Sequence, residues 1–186
     1  MPRILLLPLF GAVLLVSLGS TGQADQTDRR LDALFETLKT TADRATAQTA
    51  QAEIWRIWIS SGRREIDALM VEGVAAMSNQ RLDDAITIFG EITERAPGFA
   101  EGWNKRATAY YLNQDYPSSV RDIQHTLALE PRHFGAISGM GLIFLARGDE
   151  AGALAAFEAV LAINPHSPGT RERVEELRKR VPGRGA

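Results

Sequence analysis

Pro97, Pro131 and Pro165 stand 34 residues apart in a chain that otherwise reads as continuous helix. A proline has no N–H and its ring clashes with the preceding turn, so each one stops a helix. A fixed interval between such stops means that one structural unit is used again and again. With residue 66 as position one, the units run 66–99, 100–133 and 134–167.

Other residue types recur in the same register. Position eight holds Gly73, Ala107 and Gly141, and position twenty holds Ala85, Ser119 and Ala153. Antiparallel helices approach to ~8–10 Å only where the side chains at the crossing are short. Large residues occupy position four (Leu69, Trp103, Ile137), position eleven (Ala76 in the first unit, then Tyr110 and Phe144) and position twenty-four (Phe89, Ile123, Phe157). Each unit breaks near its middle, at Asn79-Gln80, Asn113-Gln114-Asp115 and Gly148-Asp149. Asn, Asp and Gly suit the conformations needed to leave one helix and cap the next. Pro117 falls in the first turn of its second helix, where a missing N–H costs nothing. Each unit is therefore a helical hairpin, with helix A of about 14 residues and helix B of similar length.

This pattern resembles the tetratricopeptide repeat (TPR) family: small at eight, aromatic at eleven, alanine at twenty, aromatic at twenty-four, proline at thirty-two. The resemblance covers residues 66–167, with Ala76, Ser119 and Ile123 as departures that keep size and apolarity well enough. It implies an all-α fold, a right-handed α-solenoid of stacked antiparallel helix pairs whose concave face grips another protein. Arg147-Gly148-Asp149 spells a tripeptide known from integrin ligands, yet it occupies the interhelical turn, where the family favours Gly-Asp.

Residues 1–24 read as a secretory signal peptide. Arg3 is their only charge, Ile4 to Leu18 is apolar apart from Pro8, and Gly22-Gln23-Ala24 offers small residues for cleavage after Ala24. The apolar run is short of the ~20 residues of a spanning helix; an uncleaved anchor is the alternative, and without cysteine no lipoprotein anchor exists. Residues 25–65 contain a divergent hairpin. Leu31, Leu34, Phe35 and Leu38 form the stripe of one helix, and Glu53 to Ile59 ends a second, alanine-rich one. Trp55 precedes Phe89 by 34 residues and Trp58 precedes Ile92 by the same interval, so the pair is expected to stack as a worn-down unit. A ligand-stacking role for the tryptophans is the alternative. Residues 168–186 read as a capping helix and a disordered tail. Glu172, Glu175 and Glu176 precede Arg178, Lys179 and Arg180, which complements the helix dipole, while Val174, Leu177 and Val181 face inward.

Composition excludes several functions. The net charge is −2, and loss of Arg3 would leave 20 basic against 23 acidic residues, so no basic field for nucleic acid exists. No cofactor or metal set is legible: His133 and His166 belong to turns of adjacent units, and a stack would hold them ~10 Å apart. Ser138, in Gly135-Ala136-Ile137-Ser138-Gly139, lacks the glycine two residues before it that a nucleophile elbow needs. Gly135, Gly139 and Gly141 follow no strand and are read as close helix packing. No catalytic residue is proposed.

The family resemblance implies that positions two, five, nine, twelve and thirteen of helix A line the groove. Carried over, these are Asp67, Met70, Val74 and Met77; Glu101, Asn104, Thr108, Tyr111 and Leu112; and Ser138, Leu142 and Leu145, with Ser78, Gly135 and Ala146 at the remaining positions. Members that clamp a C-terminal carboxylate carry lysine at five and asparagine at nine; here Met70 and Val74 stand there, so that clamp is absent. What remains is mainly apolar and suits an apolar helix or extended segment, with Tyr111 as an anchor. The expectation is a non-catalytic adaptor or scaffold of the bacterial cell envelope, exported to the periplasm, binding a protein or peptide and neither nucleic acid nor, after cleavage, membrane. A chaperone-like module for unfolded or maturing envelope proteins is the alternative, and an enzyme the more remote one.

Overall fold

The computed structural model describes residues 28–181, so the expectations for residues 1–24 and for the tail beyond Val181 lie outside the described residues. Nine helices and no strand occur among the described residues. They pair as α1 (Arg30–Thr40) with α2 (Arg44–Trp58), α3 (Arg64–Ser78) with α4 (Leu82–Arg95), α5 (Ala100–Leu112) with α6 (Tyr116–Leu129), and α7 (Phe134–Ala146) with α8 (Glu150–Ile163). The last helix, α9 (Pro168–Arg180), lies against α8.

The 34-residue columns correspond to contacts. A Cβ placed on Gly73 would lie 2.5 Å from Cε1 of Phe89, and one on Gly141 would lie 2.8 Å from Cε1 of Phe157. Both phenylalanines are fully buried. In each of these two units, then, the small residue at position eight is the hollow that receives the ring at position twenty-four. The second unit pairs Ala107 with the slimmer Ile123 in one apolar cluster. Burying each such side chain contributes ~1.5–3 kcal/mol.

The turns repeat as closely. Position fifteen is left-handed in every unit: φ is 60° at Gln80, 61° at Gln114 and 75° at Gly148. The following N–H groups reach back over the helix end, from Arg81 to Ala76 O, Asp115 to Tyr110 O and Asp149 to Phe144 O, each at 2.9 Å. These 6→1 bonds satisfy carbonyls that the ending helix leaves open. Asp115 and Asp149 then cap the next helix, accepting from the N–H of Ser118 and Gly152.

The N-terminal hairpin departs from the expected stack. It does not extend the array beyond α3. Leu31, Phe35, Leu38, Ile54, Ile57 and Trp58 instead form one core cluster with Phe134 of α7 and Val160 of α8. Polar contacts fix the same placement: Arg132 Nη1 lies 2.7 Å from Asp32 Oδ1, Asn164 Nδ2 donates to Gln51 Oε1 at 2.5 Å, and His166 Nε2 donates to Thr41 O at 2.9 Å. The reason lies in the columns. A unit at 32–65 would put Lys39 at position eight and Gln51 at position twenty, where a close helix crossing needs small residues. At the other end α9 buries Val174 and Leu177 against Leu154 and Phe157.

Candidate partner-binding groove

The A helices α3, α5 and α7 carry the residues expected to line a concave face, and the structure divides them into three groups. Asn104, Thr108 and Tyr111 of α5 meet Ser138 and Leu142 of α7 around a cleft of about 140 Å³. Its walls are completed by Ile123 and by the small residues Ala107, Ser119, Gly135 and Gly139. The slot exists because Ala107 and Gly139 are too small to fill the space between the two A helices. Thr108 donates its hydroxyl to Asn104 O at 2.9 Å, and the Asn104 amide donates to Glu101 at 2.9 Å. The cleft therefore presents an aromatic ring, an aliphatic side chain and a few hydroxyls.

A second group belongs to other surfaces. Val74 and Met77 are half-buried on α3 beside the core that holds Phe89. Leu112 is exposed at the end of α5. Leu145 packs toward the cluster that α8 and α9 share, which includes Phe157 and Val174 and which Leu142 touches from its other side.

The third group is corrected by the structure. Met70 is 7 % exposed and turned into the core with Ile66 and Phe89. Glu101 is 1 % exposed. Neither is open to a partner: Met70 lies in the core of the first hairpin, and Glu101 is closed in by Asn104 and by His133, on which Trp58 stacks. The carboxylate of Asp67 accepts from the N–H and hydroxyl of Ser61, at 2.9 and 2.6 Å. Trp55 Cη2 lies 2.8 Å from where a Gly135 Cβ would be, so only glycine leaves room for that indole. Position two thus meets a partner from within the chain in each unit, and at Glu101 it is closed to solvent.

Glu101 and His133 form the polar centre of this covered row. His133 Nδ1 accepts from Ala136 N–H at 3.1 Å and caps α7. Its other nitrogen must then carry the hydrogen and donates to Glu101 Oε2 at 3.0 Å. Lys105 Nζ stands 3.1 Å from the second oxygen. Burial pushes the Glu101 carboxyl upward, but the hydrogen bond from His133, the Lys105 charge and the Asn104 amide outweigh it and hold it below the ordinary glutamate value. Both imidazole nitrogens are occupied and both side chains are closed to solvent, so this pair serves the fold. Among the described residues no group of three or more His, Cys, Asp or Glu could hold a metal ion.

Sequence reasoning missed this internal cover and the residues behind the cleft. Gly135 and Gly139 carried a signal, two glycines four apart inside one helix, but spacing alone does not say whether glycine admits a neighbour or leaves a gap.

The sequence profile described as tetratricopeptide repeat matches residues 70–124 and 104–168. A TPR repeat-containing protein of Rhizobium etli is 37% identical over 155 residues, covering 83% of this chain and 76% of that protein. Among solved structures, the Sgt2 TPR domain from Aspergillus fumigatus superposes with a TM-score of 0.59 at 25% identity, covering 63% of this chain and 80% of that one. The TPR2B domain of yeast Sti1, solved in a complex with pHsp70, superposes with a TM-score of 0.58 at 18% identity over 64% of this chain and 100% of that one. This last likeness is one of fold.

Proposed function

Since the chain belongs to the tetratricopeptide repeat family, we propose that it is a non-catalytic adaptor that holds a segment of another protein in the cleft between α5 and α7. The single observation carrying this reading is the 140 Å³ cleft, open between two A helices and walled by Tyr111, Leu142, Ser138, Thr108 and Asn104. A cleft of that size suits one large apolar side chain, with the hydroxyls of Thr108 and Ser138 available to the segment's backbone. A related fold seen with pHsp70 supports a peptide-like partner. The family's carboxylate clamp is not available here, because Met70 and Val74 replace its polar residues. The partner segment is therefore recognised by an internal apolar residue.

The setting we propose is the bacterial periplasm, reached through the leader that ends at Ala24. Support for this is the leader's charge and apolar pattern alone.

A peptide library displayed on phage and selected on the full chain tests the reading. Selected sequences are expected to share one bulky apolar residue, and Ser138→Trp, which fills the cleft, is expected to abolish their binding while leaving the circular dichroism unchanged. Binding that survives Ser138→Trp would move the site elsewhere. Weak capture of many unfolded chains with no common residue would favour the chaperone-like reading.

A further inference from the structure

The array is finished at one end and raw at the other. In α5 and α7 the flank turned to the preceding unit is packed away: Ala109, Ala136 and Ile143 are each at most 1 % exposed. The same columns of α3 hold Ala68 and Ala75, and both are exposed. Between them stands Val71 at 71 % exposure, the most open large apolar side chain among the described residues. The hairpin that would have covered this flank is docked on the third unit instead.

We propose that this flank is the contact of a two-fold dimer, with α3 of one protomer antiparallel to α3 of a second. The surface complements itself. Arg64 and Glu72 each stand four residues from Ala68, about 6 Å of helix rise to either side. Neither side chain forms an ion pair or hydrogen bond among the described residues. An antiparallel pairing centred near Ala68 sets Arg64 of each protomer against Glu72 of the other, so both charges are answered twice. Ala68, at the crossing point, allows the axes to approach to ~8 Å, and Val71, one turn away, leaves water.

The symmetry also limits the assembly to two. A two-fold contact uses up the flank on both protomers, and a chain growing head to tail would need α9 as the opposite face. The outward side of α9 is charged, with Arg171, Glu175 and Lys179 exposed, and offers nothing to bury Val71. A single helix face makes a small contact, so the dimer is weak and reversible.

Sedimentation velocity of the full chain over increasing concentration tests the proposal. A monomer–dimer equilibrium is expected. Arg64→Glu and Glu72→Arg each bring like charges together across the axis and are expected to raise the dissociation constant by about tenfold or more. The double variant R64E/E72R restores the pairing with signs reversed and is expected to return it to near the original value. Val71→Glu is expected to leave only monomer. A chain that stays monomeric at every concentration would overturn the proposal, as would a dimer indifferent to Val71→Glu or a double variant as weak as either single one. Ser138→Trp lies outside this surface and is expected to dimerise normally, which keeps the test independent of the cleft.

Discussion

The indole of Trp58 lies flat on the imidazole of His133, with ring centroids 4.2 Å apart and planes 11° from parallel. His133 caps α7 through one nitrogen and holds Glu101 of α5 through the other. A single aromatic contact thereby ties the N-terminal hairpin to two units of the array. Phe35, Trp55 and Phe134 surround the same indole, with centroids 5.8, 5.3 and 5.1 Å away.

Trp58→Ala is expected to lower stability by about 3–5 kcal/mol, as large aromatic truncations in a packed core do. Hydrogen exchange should show α1 and α2 losing most protection, with a smaller loss in α7 and α8, on which they dock, while α3 to α6 keep theirs. Trp58→Phe is the milder control, because it keeps a ring and removes an indole N–H that finds no acceptor. Equal protection of both parts in the alanine variant would mean that the hairpin is held by other contacts.

Gly141→Ala is expected to cost about 1–3 kcal/mol, because its Cβ would overlap the Phe157 ring at 2.8 Å. Adding Phe157→Ile reproduces the alanine–isoleucine pairing of the second unit and should recover part of the loss. A double-mutant cycle by urea denaturation reads the coupling. Simple additivity would show that the two columns do not touch.

Gln80→Gly and Gln114→Gly are each expected to stabilise the protein by roughly 1 kcal/mol, since both glutamines hold the left-handed backbone that the third unit gives to Gly148. The gain is reduced by the greater freedom of glycine in the unfolded chain. Melting temperatures of the single and paired variants check this.

Acid should loosen the fold through Glu101. Its carboxyl is held below the ordinary glutamate value in the fold, so the group binds its proton more weakly folded than unfolded. Its contribution is present above the unfolded value and is lost as pH falls through the folded one. The stability difference between wild type and Glu101→Gln is therefore expected to be largest near neutrality and to shrink below the ordinary glutamate range. A difference that does not change with pH would show that the carboxylate carries no charge in the fold.

The repeat was legible because its contacts are local. Gly73 with Phe89 and Gly141 with Phe157 stand sixteen residues apart in the sequence, inside one hairpin. Their columns therefore reveal both the unit and the crossing. The placement of α1 and α2 was not legible. Trp55 and Trp58 sit 34 residues before Phe89 and Ile92, which invites a stacked reading. Lys39 and Gln51, bulky residues at the crossing columns, carried the opposite message. The groove was legible by position and not by exposure, because Met70 and Glu101 are hidden by the core of α3 and by a segment whose path depends on that long-range docking. The cleft between α5 and α7 needed coordinates, since a gap is made by what neighbouring side chains fail to fill.

A linear array of hairpins normally folds and frays piecewise, each unit answering only to its neighbours. Here Asp32 meets Arg132, Gln51 meets Asn164 and Thr41 meets His166 across separations of 100, 113 and 125 residues. The open ribbon becomes a closed ring of dependencies. Ordering its earliest segment must wait for its latest, so the tryptophans emerge from the ribosome long before their seat exists. Once seated, neither terminus of the described fold can loosen without disturbing the other.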